Sequence, residues 1–390
     1  MTALMDYLQG LVASSGIVAS DLAVVMIALL FGLMLVGLVL GQELAFVLGG
    51  VGVLVGWLAW GDPGVTIAMT KIYDQMQSYS MVAIPMFVLM ANFLTYSKVA
   101  DGLFESIRYL LGPLKGGLGL AVILVSTVFA ATTGIVGASV VTMGMLSLPV
   151  LLRSGYKPSL ACGMVCAGGS LGILIPPSIM LVSMGSYAEV SVGKIFFAAI
   201  VPGLCLSLCY IIYLMVVCHI HPDWGPAMSA EELAEMPLRK RITGSLVNLV
   251  PPLLLIIAVL GSIFGGIATP TEAAGVGAFF ALILAICYKQ FSWKMLYESL
   301  MDTAKTTAMV FIILFGAAAF TGVFMSLDGD QIISNWVLGM GIGKWGAFAI
   351  MMIIMFILGM FIDWLGIVMI VFPIFLPIMD QFGFDRLWLG

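Results

Sequence analysis

Thr132-Thr133-Gly134-Ile135-Val136-Gly137-Ala138-Ser139 stands at the centre of 37 uncharged residues between Lys115 and Arg153. As one helix that run would be about 55 Å long, nearly twice the roughly 30 Å hydrocarbon core of a bilayer. The run must break, and its small, Gly-rich centre is where a break costs least. The sequence therefore predicts two helical arms that turn back at a tip near Gly134. The stretch from Trp345 to Met379, with Asp363 as its only charge, predicts a second hairpin.

The rest of the composition agrees with a membrane body. Hydrophobic residues make up 62% of the 390 and charged residues 9%, against roughly 25% charged in a soluble domain; mean hydropathy is +1.18. Apolar stretches near 22–40, 44–60, 82–97, 158–188, 195–218, 243–264, 273–288 and 306–327 approach or reach spanning length. Residues 1–21 lack Lys, Arg and a long apolar core, so no cleavable signal peptide is expected. A net charge of -5 without a basic stripe excludes nucleic acid as a partner. The six cysteines, Cys162, Cys166, Cys205, Cys209, Cys218 and Cys287, all lie in apolar stretches, where core packing is expected. No zinc spacing occurs.

The two uncharged stretches are related. At an offset of 229, Asp101, Gly112, Lys115 and Gly117 fall on Asp330, Gly341, Lys344 and Gly346. At 228, Leu148, Pro149, Gly155 and Tyr156 fall on Leu376, Pro377, Gly383 and Phe384. Five spans separate the hairpins, an odd number, so the two are expected to enter from opposite faces as in an inverted repeat. With hairpins that return to their own side, 11 of the 15 basic residues share one face and four (Lys71, Lys194, Lys344, Arg386) the other. That asymmetry predicts a periplasmic N-terminus and a cytoplasmic 219–242 loop. In that loop Ser229, Glu231, Glu232 and Glu235 before Arg239-Lys240-Arg241 read as a short surface helix. Residues 98–115 and 292–305 read as amphipathic helices beside the membrane.

Chemistry is sought where backbone is freed inside the bilayer. The span 158–188 contains Ser170-Leu171-Gly172-Ile173-Leu174-Ile175-Pro176-Pro177-Ser178, and two consecutive prolines remove two amide donors. The freed carbonyls either line a cation site or belong to a packed proline kink, as at Pro251-Pro252. Thr132, Thr133, Ser139, Ser170 and Ser178 supply hydroxyls that a hard cation such as Na+ accepts, and Gly134, Gly137 and Gly172 allow close backbone approach. Asp363 is either a ligand or an N-cap for the second arm of its hairpin. Thr269-Pro270-Thr271-Glu272 reads as a capping box. Gly-x-Ser-x-Gly, His-Glu-x-x-His and acidic metal clusters are missing from the sequence, so a membrane transferase would lack its catalytic groups.

Ile84-Pro85-Met86-Phe87, the tip at Thr133-Gly134, the broken helix through Ser178, Ala268-Thr269-Pro270-Thr271-Glu272-Ala273-Ala274 and Gly359-Met360-Phe361-Ile362-Asp363 together resemble the large membrane (permease) subunit of a TRAP (tripartite ATP-independent periplasmic) transporter. The resemblance covers the chain from about residue 20. It implies an all-α integral membrane fold of the inverted-repeat, elevator type with two re-entrant hairpins. It also implies a bacterial inner-membrane uptake system with a small four-helix membrane subunit and a periplasmic substrate-binding protein. Na+ would drive uptake of an organic, carboxylate-bearing anion. The first cation site would fall on Thr133, Gly134, Ser170, Gly172 and the carbonyls of Ile175 and Pro176, and the second would begin at Gly359 and Asp363. Substrate would sit between the tips near Gly137 and Ser178.

The expected division is 1–97 as N-terminal scaffold, 98–190 as arm, hairpin and broken helix, 191–327 as scaffold with the 219–242 loop, and 328–390 as arm and second hairpin. Two departures are visible. Ile135 stands where many members of the family carry a second tip serine, and Ile175-Pro176-Pro177 projected by 228 falls beyond Gly390. Either the chain is truncated there or its tail lies beyond the sequence as read; only if the tail is truly missing is the chain expected to carry one complete half-site and to be unable to transport by itself. A stand-alone Na+/carboxylate carrier of related architecture is the alternative, distinguished by uptake without a binding protein.

Overall fold

A computed structural model describes residues 19–134, 136–188, 190–234, 237–360, 362 and 364–389. Among the described residues the ordered elements are helices and no strand occurs. In chain order they are α1 (Ala19–Val39), α2 (Leu44–Trp60), α3 (Asp62–Met76), α4 (Ala83–Tyr96), α5 (Val99–Leu111), α6 (Gly117–Thr133), α7 (Val136–Arg153), α8 (Pro158–Leu174) and α9 (Ile179–Tyr187). There follow α10 (Val192–Ile220), α11 (Ala230–Ala234), α12 (Leu238–Phe264), α13 (Pro270–Cys287), α14 (Trp293–Ser326), α15 (Gly329–Gly339), α16 (Gly343–Leu358), α17 (Trp364–Gln381) and α18 (Arg386–Leu389). Among the described residues, seven helical stretches are long and apolar enough to cross a membrane, and five of these lie between the hairpin arms α6–α7 and α16–α17.

Several sequence expectations need correction. The stretch 44–60 forms a helix with the expected bounds, 17 residues or about 26 Å, but it is followed by α3, which was not anticipated. Residues 292–305 are not a separate surface helix: they run without a break into the next span, giving the 34 residues of α14, about 51 Å. The surface helix after Ser229 is α11 alone, opened by Ser229 Oγ accepting from the Glu232 amide at 3.2 Å. Arg239-Lys240-Arg241 lie in the first turn of α12 instead. Five of the six cysteines are exposed and only Cys218 is buried, so the thiols serve as small apolar groups without being core.

The chain divides into two compact units, residues 79–307 and residues 1–78 with 308–389, the second boundary falling inside α14. Within the first unit, α13 presents Ala273, Ala274, Gly277, Ala278, Ala281 and Ala285 along one buried seam, against which α4 packs. Small side chains let apolar helices approach closely, and this packing drives association where lipid removes the hydrophobic incentive. The expected capping box opens α13: Thr269 Oγ1 accepts the Glu272 amide at 3.3 Å and Glu272 accepts the Thr269 amide at 2.8 Å. Polar pairs add direction between spans. Asn92 Nδ2 donates to Thr303 Oγ1 at 2.9 Å, and Tyr96 donates to Asp302 at 2.6 Å.

Within the second unit, α2 carries Gly49, Gly52 and Gly56 on one side. A Cβ on Gly52 would lie 2.8 Å from the Phe320 amide nitrogen and 2.9 Å from its Cα, and one on Gly56 would meet Val323 at 2.9 Å. The backbones of α2 and α14 are thus nearly in contact. Phe31 of α1 completes the seam, edge-on to Phe320 and Phe324 at 5.5 and 5.8 Å.

Candidate functional site

The first hairpin ends where α6 reaches Gly134, in the left-handed region at φ +62°, with its amide on the Ala130 carbonyl at 3.3 Å. Glycine adopts this conformation without the steric cost a Cβ would bring. The position is also crowded: a Cβ on Gly134 would lie 3.3 Å from the Pro177 carbonyl oxygen, 3.4 Å from the Ile179 nitrogen and 3.5 Å from the Ser178 Cα. The structure therefore brings the hairpin tip against the broken helix, joining two features that lie more than forty residues apart in the chain.

The break itself follows from the prolines. The amides that Gly172 and Ile173 would receive four residues on belong to positions 176 and 177, and both are Pro. α8 stops with Ile175 extended and its amide on the Leu171 carbonyl at 3.0 Å. Ser178, fully buried, donates its hydroxyl to the Ile173 carbonyl at 2.7 Å and so replaces one missing amide, leaving the first turn of α9 without a side-chain cap. The Gly172 carbonyl has no such amide four residues on. Two helix C-termini, of α6 and α8, supply carbonyl oxygens here.

Packing holds these ends in register. α8 is wedged between the arms of its hairpin. A Cβ on Gly168 would lie 2.5 Å from Ser126 Oγ of α6, and one on Gly169 would lie 2.9 Å from the backbone of Val140 of α7. At the base, the buried Tyr156 hydroxyl accepts the Gly119 amide at 3.4 Å, and burial pushes its pKa up to about 12. Thr127 of α6 and Ser207 of α10 share a hydrogen bond of 2.7 Å. Ser126, Thr127 and Ser207 escaped the sequence reading, although hydroxyls inside apolar spans were a signal available to it.

The remaining candidates distribute as follows. Ser170 is half-buried and donates to the Ala167 carbonyl at 2.8 Å within its own helix, so its hydroxyl oxygen keeps lone pairs for another donor or a cation. Gly172 and Ser139 are buried, and Gly137 is exposed in the first turn of α7 with open space beside it. The side chains of Thr132 and Thr133, and residues Ile135 and Asp363, lie outside the described residues. Gly359 ends α16, its amide on the Met355 carbonyl at 2.9 Å. Among the described residues no cluster of His, Cys, Asp and Glu could hold a transition metal.

Comparison with known proteins agrees with this architecture. Residues 27–390 match the family described as "Tripartite ATP-independent periplasmic transporter, DctM component". The chain is 34% identical over 336 residues to the C4-dicarboxylate TRAP transporter large permease protein DctM of Pseudomonas aeruginosa, covering 85% of this chain and 76% of that protein. It is 30% identical over 366 residues to the isethionate TRAP transporter permease protein DctMQ of Oleidesulfovibrio alaskensis, covering 93% of this chain and 56% of that one. The crystal structure of the Alcanivorax borkumensis YdaH transporter superposes with a TM-score of 0.61 at 12% identity, covering 88% and 83% of the two chains, a likeness of fold. These curated relatives are named as transporter permeases, not enzymes. The chain belongs to the DctM component family of the tripartite ATP-independent periplasmic transporters.

Proposed function

We propose that this subunit couples Na+ entry to uptake of a small organic anion. The first cation site consists of Thr133, Gly134, Ser170, Gly172 and the carbonyls at Ile175 and Pro176; a second begins at Gly359 and Asp363. The observation that carries the reading is the contact of Gly134 with Pro177, Ser178 and Ile179. It sets the end of α6 beside the break that follows α8, and carbonyls freed inside an apolar span would be satisfied by a hard cation. The first turns of α7 and α9 begin at the same place, by Gly137 and Ser178, and their N-terminal amides suit a carboxylate.

The anion is a C4-dicarboxylate or a related acid, by likeness to the relatives whose names carry those substrates. A periplasmic binding protein delivers it, and a small membrane subunit completes the complex; the DctMQ relative carries both letters in one name. The chain works in the inner membrane with its N-terminus periplasmic and the 219–242 loop cytoplasmic, the hairpins moving as an elevator against the scaffold. The test is uptake of a C4-dicarboxylate into proteoliposomes holding the permease and both partners. Uptake requires an inward Na+ gradient, and Ser170→Ala or Thr133→Val weakens the Na+ dependence more than expression. Uptake indifferent to Na+ overturns the coupling, and wild-type Na+ responses in both variants overturn the site.

A further inference from the structure

The first unit contains a slot that the transport reading does not use. Its volume is about 480 Å³, and Gly163 and Ala167 of α8, Ile123 of α6 and Tyr210 of α10 line it. That volume lies within the range of roughly 300–1,000 Å³ typical of small-molecule sites. From Ser159 to Ala167 the slot follows α8 for about 12 Å, along two helices, α8 and α10, that belong to spans.

Its mouth differs in chemistry from its walls. Trp224 and Ser159 are among the residues that line the slot. Lys157 donates its amide to the Trp224 carbonyl at 3.1 Å and carries its ammonium 3.5 Å above the Trp224 ring. His221 stacks on the same ring at 4.5 Å. The Gly116 amide donates to the Gly225 carbonyl at 2.8 Å, which brings the neighbouring Lys115 to the same turn. Asp223 is the acidic residue of that turn. Lys157 and Lys115 supply two basic residues at this end, and a tryptophan beside them marks the level of lipid headgroups.

We infer that this slot holds one acyl chain of an anionic glycerophospholipid, with its phosphate between Lys157 and Lys115. An apolar slot in a membrane span is filled by the surrounding solvent, which is hydrocarbon, and basic pockets between spans select anionic headgroups. The inference needs only the spans and the first unit, so it stands or falls independently of Na+ coupling.

The test uses the full-length permease, alone and with its small membrane subunit, in detergent with added phosphatidylglycerol or phosphatidylethanolamine, read by native mass spectrometry. Phosphatidylglycerol should be retained about fivefold over phosphatidylethanolamine, the factor one basic side chain supplies at a membrane surface. Lys157→Ala should weaken that preference, and Lys157→Ala combined with Lys115→Ala should remove it. Gly163→Leu should abolish the adduct by filling the slot; a Cβ at Gly163 meets nothing within 4 Å, so the side chain enters open space. Equal retention of the two lipids by wild type, or an undiminished adduct in Gly163→Leu, would overturn the inference. So would loss of the adduct when the small subunit binds, because the slot would then be a protein contact.

Discussion

Replacing Gly134 by Ala adds one methyl group and tests both the fold of the tip and the cation reading. At φ +62° an L-residue carries a cost of roughly 1–2 kcal/mol that glycine escapes. The new carbon would lie 3.3 Å from the Pro177 oxygen and 3.4 Å from the Ile179 nitrogen, so one of these must yield by a few tenths of an ångström. Both belong to backbone between a proline pair and a helix start, where little slack exists. Gly137→Ala makes the same chemical change three residues on, inside α7 and with no atom within 4 Å, where removing glycine stabilises a helix by at most about 0.5–1 kcal/mol. Thermal unfolding followed with and without Na+ should show a lower midpoint and a smaller Na+-induced rise for Gly134→Ala. Gly137→Ala should match wild type or exceed it. Equal midpoints for the two variants, or a full Na+ response in Gly134→Ala, would refute the reasoning.

Ser178→Ala removes the hydroxyl that serves the Ile173 carbonyl at 2.7 Å in a fully buried position. It should lower stability by about 1–3 kcal/mol, and an unchanged unfolding midpoint would show that another donor takes its place. Gly52→Ala puts a Cβ 2.8 Å from the backbone of Phe320, whereas Gly50→Ala meets nothing within 4 Å. The first should destabilise by about 1–3 kcal/mol and the second should be near neutral, a contrast that thermal unfolding reads directly.

The hairpin tip, the broken helix and the capping box were legible because each depends on residues whose backbone chemistry is peculiar to them. Glycine at 134, proline at 176 and 177, and Thr269 with Glu272 each permit few local structures. What remained hidden depends on which side of an apolar helix faces protein and which faces lipid. Both environments accept the same side chains, so the exposed cysteines could not be told from core. α3 was hidden for a different reason: Asp62, Lys71 and Asp74 put it below the hydropathy of a span, and no tip-like break announced it. The junction inside α14 was misread because charge stops near Lys305 while helix propensity does not. Gly49, Gly52 and Gly56 did carry a signal, since glycines three and four apart in an apolar helix mark close packing, and they would have located the α2–α14 seam.

Backbone geometry now gives the internal repeat a footing separate from residue identity. Each arm helix, α5 and α15, is preceded by a non-glycine residue in the left-handed region, Lys98 at φ +56° and Asp328 at φ +53°. These lie 230 positions apart, within one residue of the sequence offset. After each hairpin comes a left-handed glycine, Gly155 at φ +80° and Gly383 at φ +70°, 228 apart. The aromatic residue that follows does the same work in both units. Tyr156 meets the start of α6 at Gly119, and Phe384 packs edge-on against Trp345 near the start of α16 at 5.7 Å. The Tyr-for-Phe difference is then explained locally, since Tyr156 finds an amide to hydrogen-bond while Phe384 finds rings and the Lys344 ammonium at 4.2 Å. Left-handed non-glycine residues are uncommon; of the three among the described residues, Lys98, Lys289 and Asp328, two stand at the matched starts of these helices. The chain therefore uses one hairpin plan twice, with the same base closed once by a hydrogen bond and once by aromatic packing.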